Sequence, residues 1–283
     1  MIILTADDYA MTAGVSRGIV ELAQARRLSA TSVMTTMAGW PAVAGAIRAE
    51  RGHLAIGLHV NLTLGAPLGP MPLLAPAGRL PELPRLIGRA LTRRLDAAEI
   101  AAEIGRQVDR FTEVLGFPPD HVDGHQHVHV LPGVRGALLA ELARRFEPAS
   151  VLIRVPSASP LGVAMSESKA LLVGTLAFGF ANATRARGFP TNESFAGFSA
   201  FDTNQPFAPE LARALESGRG SRRHIVMCHP GYPDAELAAL DPVVERRRQE
   251  LDAMTADASL PARIWHPARA TDGRVFDWAK VAA

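Results

Sequence analysis

Short apolar or β-branched runs recur along the chain, each followed by a stretch of helical character. Seven of them read as strands, at residues 1–6, 30–37, 54–60, 121–123 with its continuation, 151–155, 224–229 and 262–265. Between and after them, 14–26, 42–50, 96–115, 133–145, 166–187, 208–216 and 242–256 read as helices. In 96–115, Ile100, Ile104, Val108, Phe111 and Leu115 recur at helical spacing and mark one buried face. Alternating strands and helices imply a largely parallel sheet in an α/β fold. Seven such units suit a distorted, TIM-like (β/α) barrel of about seven parallel strands better than a doubly wound sheet. Two segments break the pattern: 65–84, rich in Pro, Gly and Leu, and 191–209, which carries Asn192, Phe195, Phe198, Phe201 and Asn204. Irregular loops of this length in a compact domain serve as lids or binding loops. With no repeat or linker between them, one domain over 1–283 is expected.

Composition removes several function classes. A hydrophobic share of 48% over 283 residues is ample for a buried core. Thirty Lys and Arg against 28 Asp and Glu leave a formal charge of +2, and the arginine clusters are short. With two Tyr and three Trp as aromatic platforms, nucleic-acid binding has little support. The single cysteine, Cys228, excludes a disulfide within the chain and a cysteine-based zinc cluster, and agrees with a reducing compartment. Residues 1–6 run directly into two aspartates, with no basic start or cleavage site, and read as a buried strand rather than a signal peptide. Cytoplasmic residence is the expectation. The apolar stretch 170–183 is too short for a membrane span and is interrupted by Gly174 and Gly179.

The strongest chemical signal is the run from His121 to His129, in which every odd position is His or Asp. On one extended strand these side chains would share a face and stretch over roughly 26 Å, so one or two would bind a cation and the others line a pocket. The competing reading is a solvated edge strand or hydrogen-bonded core histidines. Asp7 and Asp8 end the first strand, where barrel enzymes build their sites; one acid can bind a cation while the other accepts a proton from its water, although an Asp there can also simply cap a helix. His59 and His229 end two further strands, so four strand ends each deliver a His or Asp. Convergence on one cavity is the simplest account. A Cys228–His229 nucleophilic pair is disfavoured, because neighbouring strand residues point to opposite faces and Cys228 should pack outward under a helix.

Together, Thr5-Ala6-Asp7-Asp8-Tyr9, Gly57-Leu58-His59-Val60-Asn61-Leu62-Thr63, the His121–His129 run and Met227-Cys228-His229-Pro230-Gly231-Tyr232 resemble the motifs of the YdjC-like carbohydrate deacetylases. That family includes chitooligosaccharide and hopanoid-associated deacetylases. The resemblance extends from Met1 to about Ala256. It implies a distorted barrel that hydrolyses the N-acetyl group of an amino sugar with one divalent ion, Mg²⁺ or Zn²⁺. By the same resemblance Asp8, His59 and His125 are the metal ligands, Asp7 the base and His229 the acid, and a homodimer is expected. His127, His129, Arg154 and Tyr232 are candidates to line the pocket or support these residues. Relatives commonly carry Asp-Phe-Gly where this chain has Asp8-Tyr9-Ala10, and 188–198 is closer to the hopanoid-associated branch. The rival readings are a metal-dependent amidohydrolase or phosphoesterase, and a non-catalytic sugar- or lipid-binding protein recognising its ligand through Phe195, Phe198 and Phe201.

Overall fold

In the computed structural model, which describes residues 1–156, 168–275 and 278, seven strands pair in parallel. They are β1 (Ile2–Tyr9), β2 (Ala30–Val33), β3 (Ala55–Val60), β4 (His121–Gly124), β5 (Leu152–Ile153), β6 (Ser194–Ala196) and β7 (His224–Cys228). Their spatial order is β5-β4-β3-β2-β1-β7-β6. The two edges meet at a seam. Ile153 bridges Thr191 in parallel and donates its N–H to the Pro190 carbonyl at 2.9 Å. One residue on, the Asn192 side-chain amide takes the place of a strand, accepting from Val155 N at 2.7 Å and donating to Val155 O at 2.8 Å. Among the described residues closure is by a bridge and a side chain, without a continuous ladder, and this makes the barrel distorted.

The crossovers are helical: α1 (Ala13–Gln24), α2 (Trp40–Ala49), α3 (Leu83–Leu91), α4 (Ala97–Leu115), α5 (Val134–Arg145), α6 (Ser168–Leu176), α7 (Phe180–Arg185), α8 (Phe207–Glu216), α9 (Ala235–Leu240), α10 (Glu245–Ala256) and α11 (Leu260–Arg263). Local chemistry sets their ends. The Thr12 hydroxyl caps α1 by accepting from Val15 N, and Asp96 caps α4 by accepting from Glu99 N. Gly116, at φ 80°, ends α4. The five expected apolar positions of α4 are all buried.

Side chains alternate along each strand, and the two faces have different neighbours. Leu4, Ala6, Val33, Ile56, Leu58, Val60, Val122, Ile153, Val226 and Cys228 face outward into the large core shared with the helices. Ile3, Ala30, Ala55, Leu152, Phe195, Ile225 and Met227 form a smaller cluster inside the barrel with Val275 and Trp278. The interior is therefore apolar at the strand starts and closed there by the C-terminal segment. Trp278 donates its indole N–H to the Asp120 carbonyl at 2.8 Å, and Arg269 grips the Asp120 carboxylate, both contacts at 2.8 Å. Most of the inward-facing acids and histidines lie toward the opposite end.

Several expectations are corrected. Residues 262–265 are not a strand: 260–263 form α11, with Trp265 N donating once to Ile2 O. The seventh strand is β6, inside the segment read as an irregular loop over 191–209, which also contains the start of α8. The helix expected over 166–187 is two helices broken at Gly179, whose φ is 74°; residues 166 and 167 lie outside those described. The 65–84 segment is pinned to α4, where Glu99 accepts from the Leu73 and Leu74 amides and Glu103 from the Leu68 amide. Among the described residues no helix is long and apolar enough to cross a membrane.

Candidate active site

At the polar end of the barrel β1 departs from regular geometry. Asp7 continues the inward series of Ile3 and Thr5, so Asp8 should point outward. It does not, because Asp8 adopts φ 67° and Ala10 φ 74°, and the β1–β2 register is irregular between Ala6 and Tyr9. Left-handed backbone is uncommon outside glycine, with Asp among the tolerant residues. The twist turns both carboxylates into one pocket. Asp8 Oδ1 lies 3.2 Å from His59 Nε2 and 2.9 Å from His125 Nδ1.

The His121–His129 run is not a single strand. β4 ends at Gly124, and residues 125–130 turn tightly, with Gln126 and His127 at φ 51° and 58°. The five odd positions therefore go to different places. His121 and Asp123 stay inside the barrel and His125 swings to Asp8. The His127 ring meets Phe198 edge-on at 5.5 Å. His129 Nε2 lies 3.0 Å from the Arg154 carbonyl, and its ring packs against Phe180 at 5.8 Å. Burial, with Arg154 adding to it, pushes the His129 pKa down to about 3, so this ring is a neutral support.

Beneath the pocket Gly57 is required by its neighbour: a Cβ there would lie 2.3 Å from His121 Nε2. The imidazole fills that space and sits 3.1 Å from Ser32 Oγ, which donates to Asp123 Oδ2 at 2.5 Å. The other oxygen of Asp123 lies 2.6 Å from His59 Nδ1. Asp123 thus fixes the ring so that Nε2 faces Asp8, as carboxylates commonly orient metal-binding histidines. Burial opposes charge on His59, but Asp123 and Asp7 outweigh it and raise its pKa to about 10.

Arg154, fully buried one residue beyond β5, joins the acids. Its two terminal nitrogens each lie 2.7 Å from an oxygen of Asp7, and Nη1 is also 3.0 Å from Asp123 Oδ2. A second buried arginine, Arg247 of α10, donates to Asp8 Oδ2 at 2.7 Å and to Asp241 Oδ2 at 3.1 Å. Burial alone would raise the Asp8 pKa; Arg247 and His125 hold it well below the usual carboxylate range. His229 follows Ile225 and Met227 on the inward side of β7. Its amide donates to Glu250 Oε2 at 2.5 Å and its ring meets Phe201 edge-on at 5.4 Å. Burial lowers the imidazole to about 4.

Asp7, Asp8, His59, His125, Arg154 and His229 thus occupy one end of the barrel, with His127 and His129 beside them. Tyr232 lies elsewhere: its hydroxyl donates to Glu21 and its ring stacks under Arg17, facing α1. Cys228 is on the outward face, where burial raises its thiol well above the ordinary value. Sequence reading overlooked Arg247, Glu250 and Ser32. The signal for the first two was present: 247, 250, 251 and 254 share one face of α10, and Leu251 and Met254 make that face a buried one.

One test of a metal is whether buried donors converge. Single ligand atoms of Asp8, His59 and His125 all lie within 4.8 Å of one another, and all three residues are buried. This set of two imidazoles and a carboxylate suits a divalent ion. Asp7, His59 and Asp123 form a second such group, but Arg154 already bridges its two acids.

The chain is similar to known proteins over most of its length. The family model described as "YdjC-like protein" matches residues 1–261. A chitooligosaccharide deacetylase of Serratia marcescens is 33% identical over 265 residues, covering 90% of this chain and 91% of its own. A carbohydrate deacetylase of Mus musculus is 33% identical over 255 residues, covering 84% and 80%. A crystal structure from Enterococcus faecalis, of a protein named for cellobiose-phosphate cleavage, superposes with a TM-score of 0.73 at 21% identity, covering 93% of this chain and 92% of that one. The last comparison bears on the fold alone.

Proposed function

The chain belongs to the YdjC-like protein family, and we propose that it is a metal-dependent hydrolase that removes the acetyl group from an N-acetylamino sugar. The observation that carries this reading is the convergence of Asp8, His59 and His125 beside a carboxylate, Asp7, that Arg154 holds by both oxygens. The site residues come from β1 and β3 and from the residues that follow β4, β5 and β7, which supports one catalytic domain.

In this reading Asp8, His59 and His125 hold the ion. Bound there, a divalent cation polarises the acetyl carbonyl and acidifies a water. Asp123 and Arg247 orient two of the ligands, His59 through Nδ1 and Asp8 through its outer oxygen. Asp7 accepts the proton of the attacking water, and Arg154 keeps that carboxylate aimed. Burial keeps His229 neutral, its imidazole lowered to about 4, so the proton it delivers is the one that Asp7 takes from the water and passes on. His229 then protonates the departing sugar nitrogen, without which the amine leaves poorly.

Two imidazoles favour Zn²⁺, and one carboxylate with open water positions also admits Mg²⁺. A cytoplasmic homodimer completes the proposal, resting on the family resemblance and on a lone buried cysteine; light scattering of the purified protein checks the dimer. The deciding experiment is acetate release from N-acetylated mono-, oligo- and lipid-linked sugars by protein of defined Zn²⁺ or Mg²⁺ content. Release from one class supports the reading. No acetate from any, with phosphate released from an ester instead, overturns it.

A further inference from the structure

The three phenylalanines noted between 191 and 209 have different environments. Phe195 is 2% exposed, inside the barrel beside Met227. Phe198 is half-buried between Phe195 and His127, at ring distances of 5.2 and 5.5 Å. Phe201 is half-buried with its ring against His229, and its backbone sits at φ 57°. A bulky residue in left-handed backbone costs free energy and persists only where its surroundings enforce it.

That enforcement is visible, and it acts on the backbone. Ser199 Oγ accepts from Phe201 N at 3.0 Å. Arg246, buried on α10, donates to the carbonyls of Asp202 and Gln205 at 3.2 and 2.8 Å, and Gln249 donates to that of Thr203 at 2.9 Å. These hydrogen bonds fix the backbone from which the ring projects. It stands at His229, on the side where the proposed reaction releases the sugar nitrogen.

We infer that Phe201 is a specificity-determining residue: its ring is the platform against which the sugar ring bearing the scissile N-acetyl group packs. This rests on the deacetylase reading. A pyranose presents a face of C–H groups, and a half-buried aromatic ring offers the matching apolar area, which stacking removes from water. The same contact places the amine-bearing carbon beside the imidazole that must protonate its nitrogen.

The test uses the full, metal-loaded chain with N,N′-diacetylchitobiose as the probe, measuring acetate release and, separately, binding by calorimetry. Phe201→Ala is expected to raise both KM and Kd by about tenfold while kcat stays within about threefold, and Phe201→Tyr to stay within about twofold of the wild type. Phe201→Gly removes the ring but suits the backbone, so it should bind as weakly as Phe201→Ala and melt at a higher temperature. Unchanged KM and Kd in Phe201→Ala, or equal loss in Phe201→Tyr, overturns the platform. So does binding that follows melting temperature in place of the ring. Wild-type binding without acetate release overturns the deacetylase reading and leaves the platform to be judged by Kd. A wild type that does not bind the sugar overturns the platform.

Discussion

Asp7 and Arg154 form a two-pronged ion pair at the polar end of the barrel, each carboxylate oxygen 2.7 Å from a guanidinium nitrogen and both residues buried. Charge-assisted pairs of this geometry fix orientation as well as charge. Asp7→Asn, nearly isosteric, should keep the metal and lose about 10²–10⁴-fold in turnover. Arg154→Met, which removes the buried guanidinium that Asp7 and Asp123 share, should also destabilise the fold by about 3–5 kcal/mol. Steady-state kinetics, metal analysis and urea unfolding check both; undiminished deacetylation by Asp7→Asn would remove it as the base.

His59 links the proposed ion to Asp123, so the metal should respond in graded fashion. Chelation should abolish acetate release, and Zn²⁺ or Mg²⁺ should restore it. His125→Ala should lose both the ion and activity. Asp123→Asn, which removes the charge beside His59 Nδ1 that Ser32 and Arg154 also contact, should weaken the ion by about 10–100-fold. Metal titrations with a competing chelator read the series; equal affinities for the wild type and Asp123→Asn would count against the relay.

Glu250 should give stability a pH slope. Burial pushes its carboxyl from 4.5 up to about 7, against the hydrogen bond from His229 N. The folded state therefore holds a proton that the unfolded chain releases. Its contribution is full below about pH 4.5 and is lost as pH rises through about 7, on the order of 3 kcal/mol across the window. Glu250→Gln should flatten that part of the profile of Tm against pH. A slope unchanged in Glu250→Gln would place its origin elsewhere.

Ala10 stands at φ 74°, where the resembling motif has glycine. Left-handed backbone costs a non-glycine residue roughly 1–2 kcal/mol, partly offset by the greater freedom glycine loses on folding. Ala10→Gly should raise stability by up to about 1 kcal/mol in urea unfolding. A loss of stability would show that the alanine methyl contributes more than the strain costs.

Gly57→Ala should do the reverse. The added carbon would lie 2.3–2.4 Å from three atoms of the His121 ring, which is enclosed in the barrel. Overpacking of this kind costs about 1–3 kcal/mol. Displacing the ring should also disturb Ser32 and Asp123, so metal affinity should fall together with stability.

What could be read from the chain follows from how local the determinants are. Long apolar runs and the periodic face of α4 announce themselves, because burial repeats within the segment. β6 could not be read this way: Ser194-Phe195-Ala196 is three residues long, and its strand character comes from pairing with β7. The apolar 262–265 segment resembled a strand but borders a helical turn, with a single hydrogen bond to β1. At the site, residue types were legible and backbone exceptions were not. Strand alternation puts Asp7 and Asp8 on opposite faces and His121 through His129 on one. The left-handed residues Asp8, Gln126 and His127 reverse both outcomes. The periodic face of α10 marks Arg247 as buried, but its role depends on a partner 239 residues away in sequence.

The aromatic plug at the strand starts has a kinetic consequence. With Trp278 filling that end of the barrel, traffic to and from the carboxylates passes through the opposite opening. In the proposed reaction acetate and the amino sugar would both leave by that end, the sugar being the bulkier of the two. Turnover in such a dead-end vessel would be governed by departure order, and added glucosamine oligomers should slow it more than added acetate.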